Sequence, residues 1–284
     1  IPKREGFCIR QDWLDALGLE APTTPEELLA VATAFTTQDP DGNGQDDTYG
    51  YGAFIEGPGV GRRFNPIFGA YGVLDVWNFV DGNASSFGLN VRDPQYYEAM
   101  EVMIALNEAG LVDPDWPTLS KDEFRARWKQ GKFGIMWEDF AALTNKSNYT
   151  PFDDNFPNGY WTPLPPLTGP GGESYYGLDE ATFNLFAVSQ NAMDEGKKEA
   201  IARLLEWIAT DGYYLLGFGE EGVNFNLDAN GFLTLEGIDP AQAYNAPERQ
   251  PYTQMRNQLV FYNTLAEISA RYPNYTTDGS GREM

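Results

Sequence analysis

The stretch TPEELLAVATAFTTQDPDGNGQDD, residues 24–47, contains a complete helix signal followed at once by a polar loop. Thr24 can cap the helix, Pro25 suits its first position, and Glu27 completes a capping box. Apolar residues then recur at the spacing of one helix face, at Leu28, Leu29, Ala32 and Phe35. The stretch therefore predicts an amphipathic helix that leads into a long, Gly-rich loop.

That loop places oxygen-bearing groups at alternate positions, as calcium loops of the EF-hand type do. Positions 1, 3, 5, 7 and 9 are Asp39, Asp41, Asn43, Gln45 and Asp47, and Gln45 can offer its backbone carbonyl. Gly44 stands at position 6, where such loops turn sharply, but position 12 is Gly50 instead of a bidentate Glu. We therefore predict a structural Ca²⁺ site outside a full EF-hand helix pair. The alternative is a solvated acidic turn.

Helix and strand signals alternate along the rest of the chain. Further helices are predicted from Asp93, from Ser120, over residues 195–210 and over residues 252–271. Short apolar runs predict strands at residues 132–137 (KFGIMW) and 183–188. This alternation is typical of an α/β architecture. The Pro- and Gly-rich residues 163–172 are the best candidate for a crossing between two lobes.

Charge and composition narrow the function classes. The net charge of −23 repels nucleic-acid phosphates, so no nucleic-acid partner is expected. The lack of histidine and the single cysteine, Cys8, exclude His-dependent catalysis, Cys-rich zinc sites and an intrachain disulfide. Chemistry with carboxylates alone, such as glycoside hydrolysis, stays open.

Six stretches, in a consistent order, resemble the family 1 extracellular solute-binding proteins of ABC transporters. They are residues 9–19 (IRQDWLDALGL), 22–27 (PTTPEE), 39–50 (DPDGNGQDDTYG), 108–115 (EAGLVDPD), 131–137 (GKFGIMW) and 219–225 (GEEGVNF). Within the family they are similar to the lipoprotein branch with a calcium loop, which includes alginate- and oligosaccharide-binding members.

The resemblance implies an α/β fold of the periplasmic binding protein type II, with two lobes and a ligand cleft at the hinge. Such proteins carry an additional N-terminal segment that builds much of the first lobe, and this chain opens on IPKREG instead of Met, so the resemblance implies a fragment whose first lobe is incomplete. Residues 1–168 are then mainly the second lobe with the calcium loop, residues 169–245 the crossover and a first-lobe segment, and residues 246–284 a return helix and tail.

The resemblance also implies a function. We expect an extracytoplasmic, monomeric, non-enzymatic protein that captures a carbohydrate, in particular an oligosaccharide, and delivers it to the membrane permease of an ABC importer. A ligand-presenting sensor protein would use the same cleft. The other alternative is a carboxylate-based glycoside hydrolase.

Candidate ligand-binding residues are aromatic platforms and polar side chains, which suit the flat CH faces and the hydroxyls of sugars. Trp137, Glu138 and Asp139 end the predicted strand at residues 132–137, where strands of α/β sheets face the ligand crevice. The others lie beside predicted loops or the crossover: Phe64, Asn65, Trp77, Trp161, Tyr176 and Asp179. The alternative for the aromatics is a core position, which we expect for Trp128 and Trp207 on their helical apolar stripes.

Glu138 and Asp139 are also the candidate carboxylate pair for hydrolysis. A glycosidase needs both carboxylates beside one bond, whereas adjacent residues of a strand point to opposite faces. Their position therefore favours binding over catalysis.

Overall fold

The computed structural model describes residues 5–55, 62–73, 77–79, 87–143, 146–176, 187–229, 231–246 and 248. The chain divides into two compact units, with the division between Asp179 and Glu180. Helices and strands alternate in it, so the predicted α/β class is confirmed. The assignment of segments to lobes stays a prediction, and the predicted helix at residues 252–271 lies outside the described residues.

A four-stranded mixed sheet, in the order β2-β5-β1-β6, lies at the centre of the first unit. Its strands are β1 (Glu5–Arg10), β2 (Tyr49–Gly52), β5 (Phe133–Asp139) and β6 (Trp161–Pro163). Strand β2 runs parallel to β5, whereas β1 is antiparallel to both β5 and β6. Two further strands, β3 (Trp77–Phe79) and β4 (Phe87–Leu89), form a separate antiparallel pair.

Seven described helices surround this sheet or connect its strands. They are α1 (Gln11–Leu17), α2 (Pro25–Thr37), α3 (Asn65–Ala70), α4 (Pro94–Glu108), α5 (Lys121–Lys129), α6 (Phe140–Leu143) and α7 (Lys146–Asn155). Thr24 caps α2 as predicted, but the Glu27 carboxylate accepts the N–H of Thr23 at 2.7 Å, one residue before the cap. Ser120 and Glu123 form the complete predicted capping box of α5.

The described residues of the first unit form two apolar clusters. Since alternate residues of a strand point to opposite faces, Phe7 and Ile9 of β1 belong to the larger cluster and Cys8 to the smaller one. Trp137 is a member of the larger cluster, and Trp161 and Trp128 are members of the smaller one. The core position expected for Trp128 is therefore confirmed.

The second unit contains α8 (Gln190–Asp194), α9 (Lys198–Ala209), α10 (Asp211–Phe218) and the paired strands β7 (Asn226–Leu227) and β8 (Leu233–Thr234). The single helix predicted at residues 195–210 is wrong at its start, because Gly196 takes a positive φ of 73° between α8 and α9. The core position expected for Trp207 is also wrong. Its side chain is 40% exposed, while the neighbouring Ile208 is buried.

The GEEGVNF stretch of the second unit is a turn that Asn224 holds together. The buried side chain of Asn224 accepts the N–H of Glu220 at 2.9 Å and donates to the carbonyl of Gln242 at 2.6 Å. Gly219 has φ 94° and ψ −149° there, a conformation that favours glycine. The local family resemblance thus coincides with a structural turn. None of the helices in the described part of the chain is long and apolar enough to cross a membrane.

Candidate ligand surface and candidate metal loop

The carboxyl ends of β2 and β5 meet at one edge of the sheet, because the two strands are parallel. Arg63 is fully buried at this edge, where its Nη1 donates to the carbonyl oxygen of Trp137 at 2.8 Å. Its guanidinium also lies over the ring of Phe54, 4.3 Å from the centroid. The hydroxyl of Tyr51 in turn donates to the carbonyl oxygen of Arg63. These contacts fix the position of the backbone at Trp137, one of the predicted ligand-binding residues.

Three of the predicted aromatics come together in one cluster at this edge. Trp137 is fully buried and makes an edge-to-face contact with Tyr176, with the ring centroids 5.3 Å apart. Phe7 contacts both Trp137 and Tyr51, and Tyr51 stacks on the fully buried Phe64 at 5.3 Å. Tyr176 is only partly buried, so it is the member of the three with accessible surface. Burial raises the pKa of its phenol above the usual range.

The carboxylate of Glu138 is buried and fully engaged. Arg125 on α5 donates to both of its oxygens, from Nε to Oε2 and from Nη2 to Oε1, each at 3.0 Å. Such a bidentate pair fixes the position of the Glu138 side chain. Asn65, also buried, begins α3.

Trp161 lies apart from this edge. Its ring is buried against Trp128, with the centroids 6.2 Å apart, and the guanidinium of Arg10 lies 5.9 Å from its centroid. The backbone of Trp77 pairs with Leu89 between β3 and β4. The side chains of Trp77 and Asp139 and the whole of Asp179 lie outside the described residues. The ligand-binding role of every one of these residues stays a prediction.

The acidic loop folds around the side-chain amide of Asn43. Its Nδ2 donates to Asp41 Oδ2 at 2.9 Å and to Asp47 Oδ1 at 3.3 Å. The two oxygens of Asp39 accept the N–H groups of Asn43 and Gly44, at 3.1 and 2.9 Å. Three carboxylates thus surround N–H donors, and Gln45 stands at the exposed edge of the loop.

The pKa values of two loop carboxylates move in opposite directions. Partial burial, followed by the nearby Asp39 and Asp47, raises the pKa of Asp41. A hydrogen bond from Lys132 lowers the pKa of Asp47. The loop therefore collects negative charge that N–H dipoles and one ammonium group offset.

The donor set suits a hard cation such as Ca²⁺, because every donor at the predicted positions is an oxygen. As the loop stands, however, no three Asp, Glu, His or Cys side chains among the described residues are arranged so that they could hold a metal ion. The amide nitrogen of Asn43 lies between Asp41 and Asp47 instead. The residue types fit a cation, and the orientation of the Asn43 amide opposes it.

Packing explains why the closing Glu is missing at Gly50. A Cβ at this position would lie 2.2 Å from the carbonyl oxygen of Ala32 and 2.5 Å from its Cα. The backbones of β2 and α2 therefore touch there, and the N–H of Gly50 donates to the hydroxyl of Thr36 at 2.9 Å. This contact leaves no room for a side chain that could reach back to the loop.

Sequence comparison finds named relatives, although no family model matches the chain. The chain is 30% identical over 229 residues to the polygalacturonan/rhamnogalacturonan-binding protein YtcQ of Bacillus subtilis (strain 168), covering 78% of this chain and 43% of that protein. It is 31% identical over 168 residues to the fructooligosaccharide ABC transporter substrate-binding protein FusA of Streptococcus pneumoniae serotype 4, covering 59% of this chain and 29% of that protein. The chain thus spans less than half the length of these relatives.

Structure comparison identifies solved proteins with a similar fold. FusA in complex with kestose superposes with a TM-score of 0.58 at 23% identity, over 93% of this chain and 57% of that one. The alginate-binding protein AlgQ2, in a crystal structure without calcium ion, superposes with a TM-score of 0.60 at 16% identity, over 99% of this chain and 58% of that one. These similarities confirm the predicted type II solute-binding protein fold. The chain is therefore related by sequence to the carbohydrate-binding protein YtcQ and to the ABC transporter substrate-binding protein FusA, and it has the type II solute-binding protein fold.

Proposed function

We propose that the protein containing this chain is an extracytoplasmic solute-binding protein that captures an oligosaccharide for import through the permease of an ABC transporter. The observation that carries this proposal is the 30% identity over 229 residues to YtcQ, a protein named for binding polygalacturonan and rhamnogalacturonan. FusA, named for fructooligosaccharides, supports the same ligand class. Both relatives are binding proteins, which supports a role without catalysis.

The aromatic edge of the first unit is the proposed ligand surface. Tyr176 offers a partly accessible ring and a protonated hydroxyl, and Trp137 supports that ring edge-to-face. The other predicted residues of the proposed set are Phe64, Asn65, Trp77, Glu138, Asp139 and Asp179, and Trp161, which lies apart from this edge in the smaller apolar cluster, is a separate candidate. Glu138 would act through the fixed Arg125 pair and not as a catalytic acid or base.

Replacing Tyr176 with Ala should weaken oligosaccharide binding at least about tenfold, because aromatic anchors carry a large share of binding energy. Calorimetric titration with kestose and with oligogalacturonides measures the affinity. The matched control is Tyr97→Ala on α4, an exposed tyrosine that we expect to leave the affinity unchanged. Equal affinities of the two variants would remove Tyr176 from the site. Time-dependent formation of reducing ends in the same mixtures would contradict the non-catalytic role.

We also propose that the acidic loop binds calcium as a structural ion. FusA has been crystallised as an EF-hand mutant and AlgQ2 in a calcium-free form, which supports a loop of this kind in the fold. Asp39, Asp41, Asn43 and Asp47 would hold the ion with side-chain oxygens, and Gln45 with its backbone carbonyl. Calcium supplies positive charge to the loop. For this, the Asn43 amide would turn its Oδ1 inward, with loss of the two hydrogen bonds that its Nδ2 donates and of the one that its Oδ1 accepts from the N–H of Gln45 at 2.7 Å.

Replacing Asp41 with Asn should have opposite effects with and without calcium. In chelator, the variant should melt at least as high as the wild type, because the charge of Asp41 lies near Asp39 and Asp47 and its raised pKa shows that ionisation is disfavoured. With CaCl₂, the wild type should gain thermal stability and the variant should gain little. Thermal melts in both conditions test this, with Asp194→Asn in the second unit as control. A wild-type midpoint that does not move with CaCl₂ would contradict the calcium loop.

A further inference from the structure

Lys132 is the one basic side chain that an ion pair joins to the acidic loop among the described residues. Its Nζ lies 2.5 Å from Asp47 Oδ2, and both side chains are about one-third exposed, at 32% and 33%. The partners are 85 residues apart in sequence. The pair is therefore a tertiary contact that links the loop to the start of β5.

The backbone of Lys132 is held on both sides. Its carbonyl accepts the N–H of Tyr49 at 2.8 Å, and its own N–H donates to the carbonyl of Arg127 at 3.1 Å. Residue 49 is two positions beyond Asp47, so the two chain segments meet as neighbours at this point. The ammonium group thus has a fixed origin close to the loop.

The carboxylate of Asp47 is divided between two partners. Its Oδ1 faces the loop interior and accepts from Asn43, whereas its Oδ2 faces Lys132. The same carboxylate occupies position 9 of the predicted calcium loop. A cation in the loop and the ammonium of Lys132 would therefore contact the Asp47 carboxylate from opposite sides, and the two positive charges would repel each other.

Arg127, whose backbone carbonyl accepts the N–H of Lys132, has other partners for its side chain. Arg127 donates to the buried Asp113 from Nη1 and to Asp115 from Nη2. Its charge is neutralised by these two carboxylates, so it cannot take the place of Lys132 at Asp47. Among the described residues, no ion pair joins Asp39, Asp41 or Asp46 to a basic side chain. The charge balance of the loop therefore depends on Lys132.

We propose that Lys132 is an internal counter-ion that sets the calcium affinity of the loop. It stabilises the metal-free loop through Asp47, and it opposes the metal when calcium binds. This inference rests on the calcium loop proposed above. The absence of a carboxylate ligand at Gly50 acts in the same direction, because both features lower the affinity for calcium. The loop then binds calcium weakly, and it keeps its structure when the ion is released because Lys132 remains as a counter-ion.

Replacing Lys132 with Met in the full chain tests the proposal. The affinity for calcium should rise about three- to tenfold, because one like charge near the ion is removed. The thermal midpoint in chelator should fall, because the acidic loop loses its counter-ion. Titration calorimetry with CaCl₂ and thermal melts in chelator measure the two effects. Lys132→Gln provides the same charge change if the Met variant aggregates.

Two further variants sharpen the result. Lys132→Arg keeps the charge and should retain wild-type calcium affinity. Lys129→Met removes a nearby lysine that donates to Asn148 instead of the loop, and it should also leave the affinity unchanged. An unchanged or weaker affinity in Lys132→Met would overturn the counter-ion role and assign Lys132 to positioning Asp47 for the metal. Absence of calcium binding by the wild type would instead overturn the calcium loop itself.

Discussion

Replacing Gly50 with Glu should lower the free energy of unfolding by about 3 kcal/mol or more, although this change supplies the residue that EF-hand loops have at position 12. A Cβ at Gly50 would lie 2.2 Å from the carbonyl oxygen of Ala32, which is backbone and cannot move aside alone. The helix α2 and the strand β2 would have to separate, and both contribute to the larger apolar cluster. Urea unfolding measures the change.

The control for Gly50 is a glycine with open surroundings. Gly18 ends α1 with a φ of 64°, and an added Cβ there meets no atom within 4 Å. Gly18→Ala should cost about 1 kcal/mol, from backbone strain alone. Gly50→Ala should cost clearly more, because the cost comes from the contact with Ala32. A Gly50→Glu protein that unfolds at the wild-type urea concentration and binds calcium more tightly would show that the two backbones are not in contact.

Replacing Trp137 with Ala should lower the free energy of unfolding by about 3–5 kcal/mol, the range for a large aromatic removed from a core. The Trp137 ring is fully buried and contacts Phe7 and Tyr176, so its loss leaves a cavity at the edge of the sheet. Trp207→Ala should cost far less, because that side chain is 40% exposed. Urea unfolding of the two variants compares them directly.

The Trp137 variant also separates two roles of this residue. A sugar-binding residue at the surface would lose ligand affinity at nearly unchanged stability, whereas a core residue loses stability first. Trp137→Phe keeps an aromatic ring in the core and should recover much of the lost stability. If Trp137→Ala keeps wild-type stability while kestose or oligogalacturonide binding disappears, the ring is a ligand platform and the core interpretation is wrong.

Local signals predicted the elements that depend on neighbouring residues. The capping residues Thr24 and Ser120 form the predicted hydrogen bonds, since a cap needs only the residues of its own first helical turn. The strand at residues 132–137 is confirmed as part of β5. The start of the helix predicted at residues 195–210 was placed too early, because the apolar period begins only at Ala200 and the positive φ of Gly196 keeps the helix from starting before Lys198.

The candidate sites were predictable to different degrees. The oxygen spacing of the calcium loop is a local pattern, and the side chains of Asp41, Asn43 and Asp47 do meet. The aromatic platforms depend on tertiary packing, and Trp137 and Trp161 lie in different clusters. No local sequence pattern identifies Arg125 as the partner of Glu138, because the two residues belong to different elements, α5 and β5.

The sequence by itself determined the capped starts of α2, α4 and α5, the α/β class, the oxygen-donor spacing of the loop and the resemblance to solute-binding proteins. Only the tertiary structure decided that Gly50 touches Ala32, that Lys132 neutralises Asp47 and that Trp137 is buried while Trp207 is exposed. The physical reason is that caps and loop donors act within a few residues of chain. Burial and ion pairing instead depend on which strands become neighbours, and here the order β2-β5-β1-β6 joins residues that are far apart in sequence, the least separated being pairs such as Tyr49 and Phe133, which are 84 positions apart.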